Sequence, residues 1–194
     1  MTDNLKIIQD YREIKLIMNQ LRPLLESDIH FDQAELHRRS WTSVPVQSAS
    51  HFGAERDDVK HVCDALKMAG HCFALLTQEI RYGEELVRNN PKEWDYIMAN
   101  FEFEPSIDTL FEFSFKCGAF NYAITNDYID FVIAFTTSDY YLIAGPRNFV
   151  EIALGKSIDN GLATFHEYAQ HMNKHGWPGG KTLLDVVDRY SGSR

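Results

Sequence analysis

Glu167, His171 and His175 stand one helical turn apart from each other within FHEYAQHMNKHG, Phe165 to Gly176. Positions i, i+4 and i+8 project side by side from a helix, and two imidazoles one turn apart are the geometry of zinc helices. With a carboxylate beside them, they form the donor set of a metal-dependent hydrolase. The order departs from HExxH, because three residues separate Glu167 from His171. Phase weighs against the metal reading too. At about 100° per residue, Ile158, Leu162, Phe165, Ala169 and Met172 fall in one apolar stripe. Glu167, His171 and His175 lie about 180°, 220° and 260° from its first residue, on the side that a core leaves to solvent. His175 also precedes Gly176 and Pro178, which are stop signals, and a histidine in a last turn complements the helix dipole. The stretch reads first as the outer face and the end of a helix. A hydrolase using Glu167, His171 and His175 is the alternative.

Other chemistry-bearing groups are weaker. His61, Cys63, His71 and Cys72 offer metal ligands, but on one helix they point about 0°, 200°, 280° and 20° from His61 and do not converge. CxxC spacing is absent, so these cysteines read as buried structural residues. No serine or cysteine sits in a nucleophile elbow, and no catalytic residue is assigned. YYLIAGPRNF reads as a strand passing through a Gly-Pro turn into a helix. The first amides of that helix, with Arg147, suit an anion. Pro146 removes one donor, and a lone glycine is far from a phosphate-binding loop. Glu102 and Glu104 share a face of an extended segment, as a carboxylate pair for acid–base work would, but nothing in the sequence encloses them.

The strongest functional signal is a distribution. From Lys92 to Asp139 nine acids face two lysines, a net of −7 in a chain whose formal charge is −9. The same window carries WDYIMANFEFEPS, whose rings do not belong to a clear strand pattern. Acidic charge beside aromatic anchors suits capture of a basic protein, since charge speeds encounter and rings supply hot spots. Trp94, Asp95, Tyr96, Glu102, Glu104 and Asp108 are the expected contact residues. The leading expectation is therefore a non-enzymatic protein-binding module. A bacterial immunity or inhibitor protein set against a basic toxin such as a nuclease has this character. A solvated acidic face is the plain alternative.

Charge and composition narrow the field. With 19 basic against 28 acidic residues, the chain is poorly equipped to neutralise phosphates, which excludes nucleic acid as the expected partner. HRRSW, His37 to Trp41, is a short basic patch that reads as a solvated loop. The N-terminal residues lack the basic start and apolar run of a signal peptide. No stretch approaches the roughly 20 apolar residues of a membrane span. Three cysteines are an odd number and too few for a disulfide framework. The expectation is a soluble cytoplasmic protein with reduced thiols and no cofactor.

The elements that must position these groups follow from periodicity. The 194 residues suit a single domain, with a helical part over about 1–100 and a sheet with C-terminal helices over about 101–194. Ile7, Tyr11, Ile14, Met18, Leu21 and Leu25 predict a helix over 4–22, ended by Pro23. Residues 28–53 read as a long loop with at most one short strand. The clearest helical pattern covers 55–89, with Gly70 and Gly83 able to kink or split it. Packing of this helix against its copy gives a third reading, a self-associating structural or regulatory subunit. A short helix over 91–100 follows. TLFEFSFK, GAFNYAI, YIDFVIAFT and YYLIA then alternate or run apolar between short turns, which predicts a four-stranded antiparallel meander with one greasy face. A helix in GPRNFVEIALG, with Pro146 in its first turn and Gly155 as its stop, and helices over about 157–175 and 181–190 complete an α+β fold in which helices cover the sheet.

Overall fold

The computed structural model of the chain describes residues 5–8, 10–27, 29–48, 56–83, 99–117, 120–138 and 140–191. The α+β class is correct. A seven-stranded antiparallel sheet forms the middle layer. In chain order the elements are β1 (Leu5–Ile7), α1 (Tyr11–Leu21), α2 (Gln33–Arg38), β2 (Thr42–Gln47), α3 (Arg56–Ala69), β3 (Cys72–Leu76), α4 (Thr77–Tyr82) and β4 (Phe101–Phe103). They continue with α5 (Ile107–Cys117), β5 (Tyr122–Asn126), β6 (Val132–Phe135), β7 (Tyr140–Gly145), α6 (Arg147–Leu154), α7 (Ile158–Lys174) and α8 (Gly180–Ser191). The strand order is β1-β4-β3-β5-β6-β7-β2.

The sheet has two greasy faces, not one. Val59, Val62 and Leu66 of α3, Phe113 of α5 and Val150 of α6 pack on one face, against Phe101, Tyr122, Ile133 and Ile143. Ile14 and Met18 of α1, Ile80 of α4, Phe165 of α7 and Val186 of α8 cover the other, against Phe73, Leu75, Val132 and Leu142. Both faces are buried, so β3 and β6 are apolar at every position and carry no exposed residue. Burying a large side chain stabilises by about 1.5–3 kcal/mol, and Val59, Val62 and Leu66 are fully enclosed by their own sheet.

Several sequence expectations are corrected here. The helix expected over 55–89 is α3, β3 and α4. Gly70, at φ +84°, turns the chain out of α3, and CFALL then forms a buried strand between two others. A short apolar run bounded by glycine fits a buried strand as well as a helical stripe. TLFEFSFK, expected as the first meander strand, is α5. Ser106 caps it: its hydroxyl accepts from the Thr109 N–H at 3.0 Å and its carbonyl from Leu110. The meander therefore has three strands, β5 to β7. The helix expected from residue 4 begins at Tyr11, capped by Asp10, while Leu5–Ile7 pairs with β4 as a strand. The long loop expected over 28–53 contains α2 and β2. Pro45 sits in β2, a sheet edge, where its missing N–H costs no ladder bond. Of the short helix expected over 91–100, only Ala99 and Asn100 are described, and both are buried outside any helix. α6, α7 and α8 follow the expected spans closely.

Candidate binding surface

One end of the sheet concentrates acidic charge. Cys72 opens β3 and pairs with Phe103 on β4 and with Asn126 on β5. The residues just beyond those partners, Glu104 and Asp127, therefore flank the same strand end. Both carboxylates are exposed. Burial chiefly, then the negative charges of Glu104 and Asp127, push the Cys72 thiol up to about 12. The thiol donates to the Gly70 carbonyl at 3.4 Å and is a structural group rather than a nucleophile. Asp108 adds an exposed carboxylate in the first turn of α5, close to Glu104 in the chain.

The turn between β5 and β6 shapes this end. Asn126 holds it with its side chain, accepting from the Asp130 N–H at 3.1 Å and donating to the Asp130 carboxylate at 3.0 Å. The same side-chain amide donates to the Ala69 carbonyl at 3.2 Å, which ties the turn to the end of α3. Ile129 is buried here at φ +52°, a conformation strongly disfavoured for a β-branched residue. Such strain persists only where the surroundings over-determine it. Its consequence is that Tyr128 stands 80% exposed, between Asp127 and Asp130, on a fixed turn. Met68, in the last turn of α3, is 72% exposed beside the Ala69 anchor point. An aromatic and a thioether thus accompany Glu104, Asp108, Asp127 and Asp130.

The expected contact residues fall out unevenly. Glu104 and Asp108 belong to this end. Glu102 does not stand free: it pairs with Lys6 across β1 and β4 and lies 3.9 Å from His71. The paired-carboxylate reading of Glu102 and Glu104 thus finds one partner already engaged. Trp94, Asp95 and Tyr96 lie outside the described residues. Tyr128 was missed because its apolar neighbours made it look like the start of a strand. The signal that could have found it is the Asn126 and Asp130 bracket, side chains that build turns.

The remaining candidates have structural surroundings. Glu167, His171 and His175 are exposed on the outer side of α7, opposite buried Ile158, Phe165 and Ala169. The rings of His171 and His175 are 4.4 Å apart, and the His175 N–H donates to the His171 carbonyl at the helix end. Among the described residues no group of three or more His, Cys, Asp or Glu is placed to hold a metal ion. Cys63 and Cys72 are buried free thiols. The ring of His61 lies where a side chain on Gly155 would sit, which fixes glycine at that αL helix end. In the short basic patch, Arg38 and Arg39 both pair with Glu35, and Arg39 lies over the Trp41 ring at 5.1 Å. Among the described residues no helix is long and apolar enough to cross a membrane. Comparisons with protein-family models, with curated proteins and with solved structures find no match for the chain.

Proposed function

We propose that this chain is a non-enzymatic binding module that captures a basic protein at the sheet end carrying Glu104, Asp108, Asp127 and Tyr128. The observation that carries the reading is the strained, side-chain-clamped turn that presents Tyr128 among carboxylates. A fixed aromatic loses little freedom on binding, and clustered charge of one sign raises the rate of encounter with an oppositely charged surface. The net charge of −9 extends the same field over the molecule. Within that reading, an inhibitor or immunity protein that covers the basic substrate groove of a toxin such as a nuclease is the specific role we favour. Its carboxylates would stand in for nucleic-acid phosphates.

The test starts with tagged chain purified from its own cell with whatever basic protein it retains, followed by titration of that protein with variants. Tyr128→Ala is expected to weaken binding by about 2 kcal/mol or more, the scale of an interface hot spot. Glu104→Lys and Asp127→Lys are each expected to weaken it further as salt is lowered, because like charges then meet unscreened. Failure to retain a basic protein, or equal affinity for all variants, overturns the proposal.

A further inference from the structure

The sheet ends at β2, and a cavity of about 350 Å³ opens where that free edge meets the starts of α6 and α7 and the end of α8. Its wall is drawn from both layers. Ile158 belongs to the core on the α3 side and Tyr190 to the core on the α7 and α8 side. Its volume is that of a small-molecule site. Ser43 stands opposite Ala144 across β2 and β7, and directly opposed residues share a face of the sheet. Ala144 belongs to the same core as Tyr190, so the Ser43 side chain joins the cavity wall from that face.

Three features point to an occupant. Ser43 lines the cavity at 1% exposure, and its hydroxyl has no hydrogen-bond partner among the described residues. A buried hydroxyl without a partner is costly, so it marks a place where a polar group is missing. Arg147, the first residue of α6, is the one cation on the wall among the described residues. Its contacts with Glu151, from Nε at 3.2 Å and Nη2 at 3.1 Å, both go to one carboxylate oxygen. Among the described residues it has no other hydrogen bond or ion pair, so the rest of the guanidinium is open to a ligand. The residue before it, Pro146, gives α6 no side-chain cap, so the first amides of the helix stay available to an anion. Asp159 lines the wall as well, but it already has an interaction of its own and takes no part in the binding argued below.

We propose that this cavity binds the anion of a small monocarboxylic acid with a compact apolar body. The open prongs of Arg147 and the first amides of α6 take the carboxylate, because a guanidinium fork matches two carboxylate oxygens. The Ser43 hydroxyl donates to the same polar end, which gives it the partner it lacks. Ile158 and Leu162 offer an apolar wall for the hydrocarbon body. A single cation that already shares its charge with Glu151 matches one negative charge rather than two, and the apolar wall favours a hydrocarbon acid over an inorganic anion. This site is independent of the acidic sheet end and stands or falls without it.

The experiment is calorimetric titration of the full chain with butyrate, isovalerate, benzoate and phenylacetate. Each acid is paired with its primary amide, which keeps the shape and removes the charge. Inorganic phosphate serves as the anion without a hydrocarbon body. One-to-one binding of at least one acid is expected, with its amide and phosphate each weaker by about tenfold or more. Arg147→Ala should weaken binding by a similar factor. Ser43→Ala should weaken binding while leaving the unfolding midpoint of the free protein unchanged or raised, because it removes an unpartnered hydroxyl. The proposal is overturned if none of these acids binds at millimolar concentration. It is equally overturned if the amide or phosphate binds as tightly as the acid, if either variant binds like wild type, or if Ser43→Ala lowers the midpoint.

Discussion

Cys72, Tyr140 and Tyr190 hold their protons more tightly in the fold than in the unfolded chain. Burial is the first cause for each, and each is pushed up to about 12, against 9.0 for the ordinary thiol and 10.0 for the ordinary phenol. Between those limits the folded chain binds more protons than the unfolded one, so stability falls as pH rises. The contribution is complete below 9.0 and is lost progressively toward about 12. The urea midpoint of the wild type is expected to be level from neutral pH to about 9 and to decline above it. Burial raises the Cys63 thiol from 9.0 as well, so Cys63→Ala together with Cys72→Ala should move the onset of that decline up toward 10.0, where the tyrosines take over. A midpoint that is level through this range, or an onset unmoved by the paired substitution, contradicts the account. At this scale the sequence was informative where burial follows from a stripe. Phase alone put Glu167, His171 and His175 on the outside of α7, which is where they lie. It was silent where the proposed function depends on a turn, because Tyr128 sits in the turn that Asn126 and the backbone of Ile129 shape, not on any period.

Elements were legible when their ends carried their own signals. Pro146 and Gly155 bracket α6, and Gly176 follows α7, as glycine and proline at helix ends should. The errors came from stretches in which two periods fit. CFALL continued the stripe of α3 and still became a strand. TLFEFSFK alternated perfectly and still became a helix, with Phe113 buried and Phe115 exposed at 92%. Its capping serine was the overlooked sign. Ser106→Ala is therefore expected to destabilise the fold by about 1 kcal/mol, the usual value of an N-cap side chain. Chemical denaturation checks this, and Ser106→Asp is the comparison, since it keeps a side-chain oxygen at the cap and should hold the stability. Equal effects from the two substitutions would argue against α5 as described.

Across the whole molecule, charge and shape act together. Helices on both faces protect the sheet, and the free ends of β4, β3 and β5 gather Glu104, Asp127 and Tyr128 at one edge of the layer. None of this juxtaposition was visible in the chain, because Cys72, Phe103 and Asn126 become neighbours only through strand pairing. The acidic window itself was visible as composition, and it led to Glu104 and Asp108 without locating Asp127 beside them. The most direct measurement of the central claim is the association rate of the chain with its basic partner across a salt series. Steered encounter predicts a rate that falls steeply with ionic strength, from well above the unsteered value of about 10⁵–10⁶ M⁻¹s⁻¹, and a shallower salt dependence for the pair Glu104→Lys and Asp127→Lys. An association rate that is independent of salt, or the same salt dependence in the double variant, would contradict it.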